Sequence, residues 1–329
     1  MSKQLRIWLF VILGTLLASS SLLAEGVITL TPSKDVGETI KLRIEANGNF
    51  TIEGAQETSR EAVDELGRKS YRLTSQTITI RGDVTQLDCS ENQLTSLNVS
   101  KNTALTSLDC GWNQQTSLNV SGCTALTELI CPRNRLTSLN VSKNTALKYL
   151  TCFNNQLTSL DVSKNTALTK LDCSVNQLRS LDVSKNTALT SLECFNNQLT
   201  SLDVSKNTAL TDLWCFDNQL TSLNVSKNTA LKHLNCSNNQ LTSLDVSGCA
   251  RLMDVDCSSN YIKGKAMTKL VNSLPKRRRK SRGAIYLVDR SSKKMDENNC
   301  STADVTTARK KNWEVKKYEP SSWVSYSGD

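Results

Sequence analysis

The side chains able to do chemistry in this 329-residue chain are few and regularly placed: twelve cysteines, one histidine and several files of acidic residues. Nine of the cysteines, Cys89, Cys110, Cys131, Cys152, Cys173, Cys194, Cys215, Cys236 and Cys257, recur every 21 residues without a slip. A thiol file of this kind could bridge or bind metal, and the geometry of stacked strands speaks against both. Equivalent Cβ atoms on neighbouring parallel strands lie about 4.8 Å apart, wider than the ~3.8 Å a disulfide needs. Zinc sites use close cysteine pairs with converging ligands, not a linear file. The spacing therefore predicts a ladder of buried thiols acting as small apolar residues. Cys123 and Cys249 replace an asparagine of the unit, in Ser-Gly-Cys, and lie six coils apart, too far to pair. Whether Cys300 pairs with a group near Cys257 is left open by spacing alone.

His233, the single histidine, stands beside Lys232 and near Asn235 with no evident nucleophile, so it reads as a surface residue and not as a general base. Asp109, Asp172 and Asp256 share a column several coils apart. Asp161, Asp182 and Asp203 lie on successive coils, but one carboxylate per coil falls short of the 6–8 oxygens that calcium takes. Neither a Gly-rich phosphate loop nor a usable acid pair is found. The expectation is a chain without catalysis, metal or cofactor.

What must position these residues is a repeat. An asparagine column keeps step with the cysteines: Asn92, Asn113, Asn134, Asn155, Asn176, Asn197, Asn218, Asn239 and Asn260. One unit, Leu189 to Ala209, reads LTSLECFNNQLTSLDVSKNTA. It holds Leu-x-x-Leu-x-Cys-x-x-Asn-x-Leu, the leucine-rich-repeat signature with cysteine in one leucine slot. Leu192 and Cys194 are two apart and point to one side of a strand. Leu189, Leu199, Leu202 and Val204 close the other walls, and Asn197 turns the chain while its amide serves the backbone of adjoining coils. A lone coil cannot enclose its apolar side, so stability comes from stacking. The predicted fold class is a β-rich leucine-rich-repeat solenoid of about nine coils, with its parallel sheet on the concave face. Gln115 stands where other units have leucine, as at Leu94 and Leu136; it predicts a core defect, and leucine there should add ~1 kcal/mol or more.

The alternation of LTSLDCSxNQ with LTSLDVSKNTA resembles the cysteine-ladder members of the internalin family and related leucine-rich-repeat surface proteins of Bacteroidetes-type bacteria. The resemblance covers residues 84–260. It implies an export-linked adhesin or protein-binding surface, although the terminal anchor motif of wall-attached internalins is not seen here.

Around the repeats the reading is coarser. Residues 1–24 resemble a secretory signal: Lys3 and Arg6, an apolar run from Ile7 to Ala18, then small residues up to an expected cleavage after Ala24. The run is shorter than the ~20 residues of a spanning helix. Residues 25–83 should form a β-rich cap. There Ile40, Leu42, Ile44 and Ala46 alternate up to Asn47-Gly48, and Phe50 and Ile52 continue beyond it, which signals a hairpin. Residues 261–329 should form an α/β cap: a helix through Met267, Leu270, Val271 and Leu274, a strand over 284–288, a helix over 302–311 and a strand over 313–318. This cap holds 17 Lys or Arg against seven Asp or Glu. Such a balance can steer acidic partners, although the run Lys276-Arg277-Arg278-Arg279-Lys280 also suits a solvated loop.

Unit-to-unit variation concentrates on either side of the cysteine, at positions that must point away from the core. Phe153, Phe195, Trp214 and Phe216 fall there, with Tyr149 and His233 in a nearby column and Trp112 further up the array. Clustered exposed aromatics mark binding surfaces. The expected function is a secreted or cell-surface binding protein, monomeric and without a membrane span once processed. Its partner would be a protein or glycan of a host or neighbouring cell, not nucleic acid. A structural or matrix protein of the cell envelope, or a polysaccharide-binding accessory module, is the alternative.

Overall fold

The computed structural model describes residues 26–58, 63–289, 297–319 and 322–328. The expected signal segment lies outside the described residues. Six strands come first: β1 (Val27–Pro32), β2 (Thr39–Ala46), β3 (Thr51–Glu53), β4 (Ala55–Glu57), β5 (Lys69–Leu73) and β6 (Ile78–Arg81). The repeats add β7 (Val84–Asp88) and β8 (Leu94–Asn98), followed by one three-residue strand per coil. These are β9 (Ser107–Asp109), β10 (Glu128–Ile130), β11 (Tyr149–Thr151), β12 (Lys170–Asp172), β13 (Ser191–Glu193), β14 (Asp212–Trp214), β15 (His233–Asn235) and β16 (Asp254–Asp256). The chain ends in α1 (Lys265–Ser273), β17 (Gly283–Asp289), α2 (Thr302–Lys310), β18 (Trp313–Glu319) and β19 (Ser322–Ser325).

Each short strand exists because Leu-x-Cys alternates at the two-residue period of a sheet. The strands pair parallel and in register, Leu129 on Leu150 on Leu171 on Leu192 on Leu213 on Leu234, so the inward leucines stack in one column. The strand leucine, the cysteine just after the strand, and the leucines and valine of the other half-unit are 0–8% exposed from coil to coil. No disulfide joins one rung of the cysteine ladder to another among the described residues. The LTSLDVSKNTA half carries no strand after β8 and closes each coil with turns, which places the sheet on the cysteine side, as expected.

Two asparagine ladders add to the coil-to-coil backbone hydrogen bonds in the turns, such as Asn176 N to the Asn196 carbonyl and Gln177 N to the Leu157 carbonyl. In the expected one, Asn197 Nδ2 donates to the carbonyls of Cys173 and Cys194 (both 3.1 Å), and its Oδ1 accepts from Leu178 N at 3.0 Å. Three chain segments are thus tied by one buried amide. The second ladder, Asn144, Asn165, Asn186, Asn207 and Asn228, is the asparagine position that Cys123 and Cys249 replace. Asn186, for example, donates to the Val162 and Asn165 carbonyls at 2.9 Å. Cys123 and Cys249 interrupt this second column, each thiol reaching one carbonyl, of Val99 at 3.2 Å and Val225 at 3.5 Å. The chain closes in there. A Cβ on Gly122 would lie 1.8 Å from the Ser100 carbonyl oxygen, so glycine must precede the substituted position.

Both ends of the array are covered, but not all as expected. Ile40, Leu42, Leu73, Ile78 and Ile80 are buried, while the hairpin through Asn47-Gly48 does not form. β2 is bordered by β5 and β7, whereas β3 pairs with β6 in a separate four-stranded sheet with β1 and β8. Both edges of β2 are taken by longer-range partners, so its sequence neighbour goes elsewhere. The first asparagine rung is completed by this cap: Asn92 Nδ2 donates to the Lys41 carbonyl and its Oδ1 accepts from Lys41 N. At the far end β17 continues the sheet parallel to β16. Leu287 is buried, and Asn298 Nδ2 donates to the Cys257 and Leu287 carbonyls, both at 2.8 Å. Asn298 thus adds a further rung, displaced from the 21-residue period by the intervening segment. α1 packs Met267, Leu270 and Val271 inward, and α2 opens with a capping box between Ser301 and Asp304.

Candidate ligand-binding face

The outer face of the long sheet is built from three columns: the first and third strand residues and the residue after the cysteine. Inward Leu and Cys on alternate positions force these side chains outward, which is why the face varies while the core does not. Its centre is a ring cluster. Phe195 and Phe216 stack with centroids 4.4 Å apart and planes 7° from parallel, and Trp214 meets Phe216 edge-on at 6.5 Å. With Ser191, Glu193 and Asp212 they line a shallow depression of about 380 Å³. Trp214 is 41% exposed, a large apolar surface left in water.

The other expected residues are only partly gathered here. Tyr149 is exposed on β11 and Phe153 follows it, but β12, with Lys170 and Asp172, separates both from the stacked rings. His233 lies beside the cluster, one strand past Asp212, and its Nδ1 contacts Asp254 Oδ2 at 2.5 Å. That carboxylate was missed in the sequence although it lies one period on from His233, in the same column. Trp112 is elsewhere, at a turn on the edge of the coil, with the Arg133 guanidinium 4.0 Å from its ring centroid. The turn column containing it runs through Arg133, Asn154, Val175, Asn196, Asp217, Asn238 and Ser259, all with φ between 49° and 54°.

Along the repeat strands β7 to β16 the face is acidic: Asp88, Asp109, Glu128, Asp172, Glu193, Asp212, Asp254 and Asp256 lie there, with Lys170, 3.9 Å from Glu193, as the one lysine or arginine among those strands. Basic residues enter at the ends of the sheet, where Arg43 of β2 pairs with Asp88 and Lys316 of β18 continues the Asp256 column. Burial pushes the Asp109 carboxyl up to about 6, and Asp88 adds to the effect. Glu193 is raised by burial and then by Asp172. Below the face, burial pushes the ladder thiols well up, Cys215 to about 12. Such thiols are poor nucleophiles. No group of three or more His, Cys, Asp or Glu able to hold a metal occurs among the described residues. Asp161, Asp182 and Asp203 lie on the opposite half-unit, each accepting the amide of the serine two residues on at 2.8 Å, so they act as turn anchors.

No family model matches the sequence, and no curated protein does. Solved structures do. The functional domain of InlJ from Listeria monocytogenes, which includes a cysteine ladder, superposes with a TM-score of 0.60 at 33% identity, over 76% of this chain and 56% of that one. The solenoid is a cysteine-ladder leucine-rich repeat. This leucine-rich-repeat chain also matches a leucine-rich-repeat protein of Leptospira interrogans (TM-score 0.47, 20% identity, 67% of this chain and 62% of that one). Internalin C2 of Listeria monocytogenes gives 0.48 and 23% over 52% of this chain and 80% of that one. The chain thus spans little more than half of the InlJ domain it matches. No helix among the described residues is long and apolar enough to cross a membrane.

Proposed function

We propose that this leucine-rich-repeat chain is an exported, surface-acting binding module that holds a protein ligand against the outer face of its long sheet. Phe195, Trp214 and Phe216 are the central contacts, and Glu193, Asp212 and Asp254 form a polar rim. The observation that carries this reading is the ring cluster itself. Phe216 stacks on Phe195 and meets Trp214 edge-on, on the solvent side of the sheet, where packing of the core asks for none of the three. Preorganised aromatics lose little entropy on binding and dominate interface energetics. Tyr149 and Phe153 extend the same face toward the N-terminal end.

The test is binding of the full chain to membrane-surface fractions of candidate host and neighbouring cells, with the captured ligand then titrated. Trp214→Ala combined with Phe216→Ala should weaken that titration by tenfold or more, roughly the effect of losing one interface hot spot. Thermal unfolding should stay unchanged, since both rings are outside the core. Undiminished affinity in the double variant refutes the reading. A matrix role through self-association is favoured by one observation, the uniform file of Asp161, Asp182 and Asp203 with Lys164, Lys185 and Lys206 along the other side. Self-association that survives the same double variant would speak for it.

A further inference from the structure

Charge divides the chain. The outer face of the repeats is acidic, whereas residues 261–329 carry a net charge of +10. The fold concentrates part of that charge at one place. After α1 the chain doubles back through an antiparallel bridge between Arg278 and Ser281, which puts Arg279 and Lys280 at the tip. Arg277 Nη2 donates to Ser281 Oγ at 3.2 Å across the two arms. Lys276, Arg278, Arg279, Lys280 and Arg282 are all exposed. The hairpin is fastened to the turn between α2 and β18: Arg277 N donates to the Lys311 carbonyl at 2.9 Å, and Asn312 Nδ2 donates to the Arg277 carbonyl at 2.7 Å.

That attachment brings two arginines to one cavity. Arg282 from the hairpin and Arg309 from the last turn of α2 line a cleft of about 300 Å³, together with Asn312, Trp313, Glu314 and Ser325. Arg309 is held by donation to the Tyr326 carbonyl at 3.1 Å, which engages one of the five guanidinium donors. Glu314 lies 3.7 Å from Arg282 and 3.1 Å from Lys316, so it offsets only part of the positive charge. The Nε of Arg277 is buried with no partner among the described residues. Like charges crowded on one hairpin repel one another, and an arginine fork matches a planar or tetrahedral anion.

We propose that the C-terminal cap is a second binding site, separate from the aromatic face, that takes a polyanionic polysaccharide. One carboxylate, sulfate or phosphate group of the polymer sits in the Arg282–Arg309 cleft, and successive acidic groups run along Arg278, Arg279 and Lys280. The surroundings select this class of polymer. Single-stranded nucleic acid wants open ring faces for its bases, but Trp313 is 1% exposed, and Tyr286, Tyr318 and Trp323 meet one another edge-on at 4.8 and 5.2 Å. A membrane surface wants an apolar wedge beside the cations, and the Arg278–Ser281 tip has none.

The test uses the full chain with dextran sulfate as the probe. Neutral dextran, polyadenylate and vesicles of mixed zwitterionic and anionic phospholipid serve as comparisons. Dextran sulfate should bind with an affinity that falls steeply with salt, and neutral dextran should not bind. Arg279→Gln with Lys280→Gln, on the exposed tip, should weaken binding about fivefold or more by removing two charges. Arg282→Lys with Arg309→Lys keeps the charge but loses the fork, and should weaken binding severalfold. Lys164→Gln with Lys185→Gln, on the repeats, should leave it unchanged. The proposal is overturned if both cap variants bind dextran sulfate as the parent does, or if the repeat variant loses as much. Tighter binding of polyadenylate or of vesicles at equal charge would also overturn it.

Discussion

Gln115 offers the sharpest test of the packing argument. It occupies the column of Leu94, Leu136, Leu157, Leu178, Leu199, Leu220 and Leu241, and like them it is 0% exposed. Its Oε1 and Nε2 are both buried without a hydrogen-bond partner. The backbone there is intact, Gln115 N donating to Asn134 Oδ1 at 3.0 Å and Arg135 N to the Gln115 carbonyl at 2.8 Å, so the defect belongs to the side chain alone. An unsatisfied buried amide costs about 1–3 kcal/mol, and leucine of similar volume adds apolar burial without overpacking. Gln115→Leu should therefore stabilise the second coil by about 2–3 kcal/mol. A solenoid can open coil by coil, so the assay that isolates the effect is amide hydrogen exchange in coils one to three. Protection there should rise by roughly 30-fold or more, and the urea midpoint should rise with an unchanged slope. Leu136→Gln, the reciprocal change one coil on, should lower both. Unchanged or faster exchange in Gln115→Leu would mean that the amide is satisfied after all, and the reasoning would fall.

Three further outcomes follow from the geometry. Asp109, with its carboxyl pushed up to about 6, takes up a proton in the folded state before the unfolded chain does. Its contribution to stability therefore declines as pH rises from about 4 to about 6 and is level above that. Asp109→Asn keeps an oxygen for the Gly111 amide and should stabilise by about 1–2 kcal/mol at pH 7 and hardly at all near pH 4; equal gains at both pH values in thermal melts would contradict this. Val175 holds a β-branched side chain at φ 52°, where asparagine serves in the coils before and after. Val175→Asn should raise stability by about 1 kcal/mol, and a drop in melting temperature would show that the valine is not strained. The ladder thiols, buried with raised pKa, should react with iodoacetamide only as the chain unfolds in denaturant; rapid alkylation of the native protein would remove the ladder from the core.

Much of the fold was legible because a repeat reports itself. A constant 21-residue period fixes which residues stack, and Leu192 and Cys194 two apart fix which of them point inward, since a parallel ladder in register leaves no other side for them. The same logic puts Phe195, Trp214 and Phe216 on the outer face and marks Gln115 as foreign to its column. Periodicity says which column a residue belongs to. It does not say how side chains within the column meet: the stacking of Phe195 on Phe216, the isolation of Trp112 with Arg133, and the pairing of His233 with Asp254 depend on rotamers and on the distance between coils.

Where the period stops, local signals carried less. Asn47-Gly48 has the composition of a hairpin turn, yet β2 and β3 enter different sheets, because β5 and β7, from further along the chain, pair with β2 along its length. Asn298 completes the asparagine ladder from beyond an insertion that hides its register. The basic run 276–280 was visible as charge, but only its attachment to the α2–β18 turn brings Arg282 to Arg309. Residue order along the chain thus determined the solenoid, since each coil repeats one local pattern against an identical neighbour. The caps and the cleft were decided in three dimensions, because they rest on single contacts between segments that share no period.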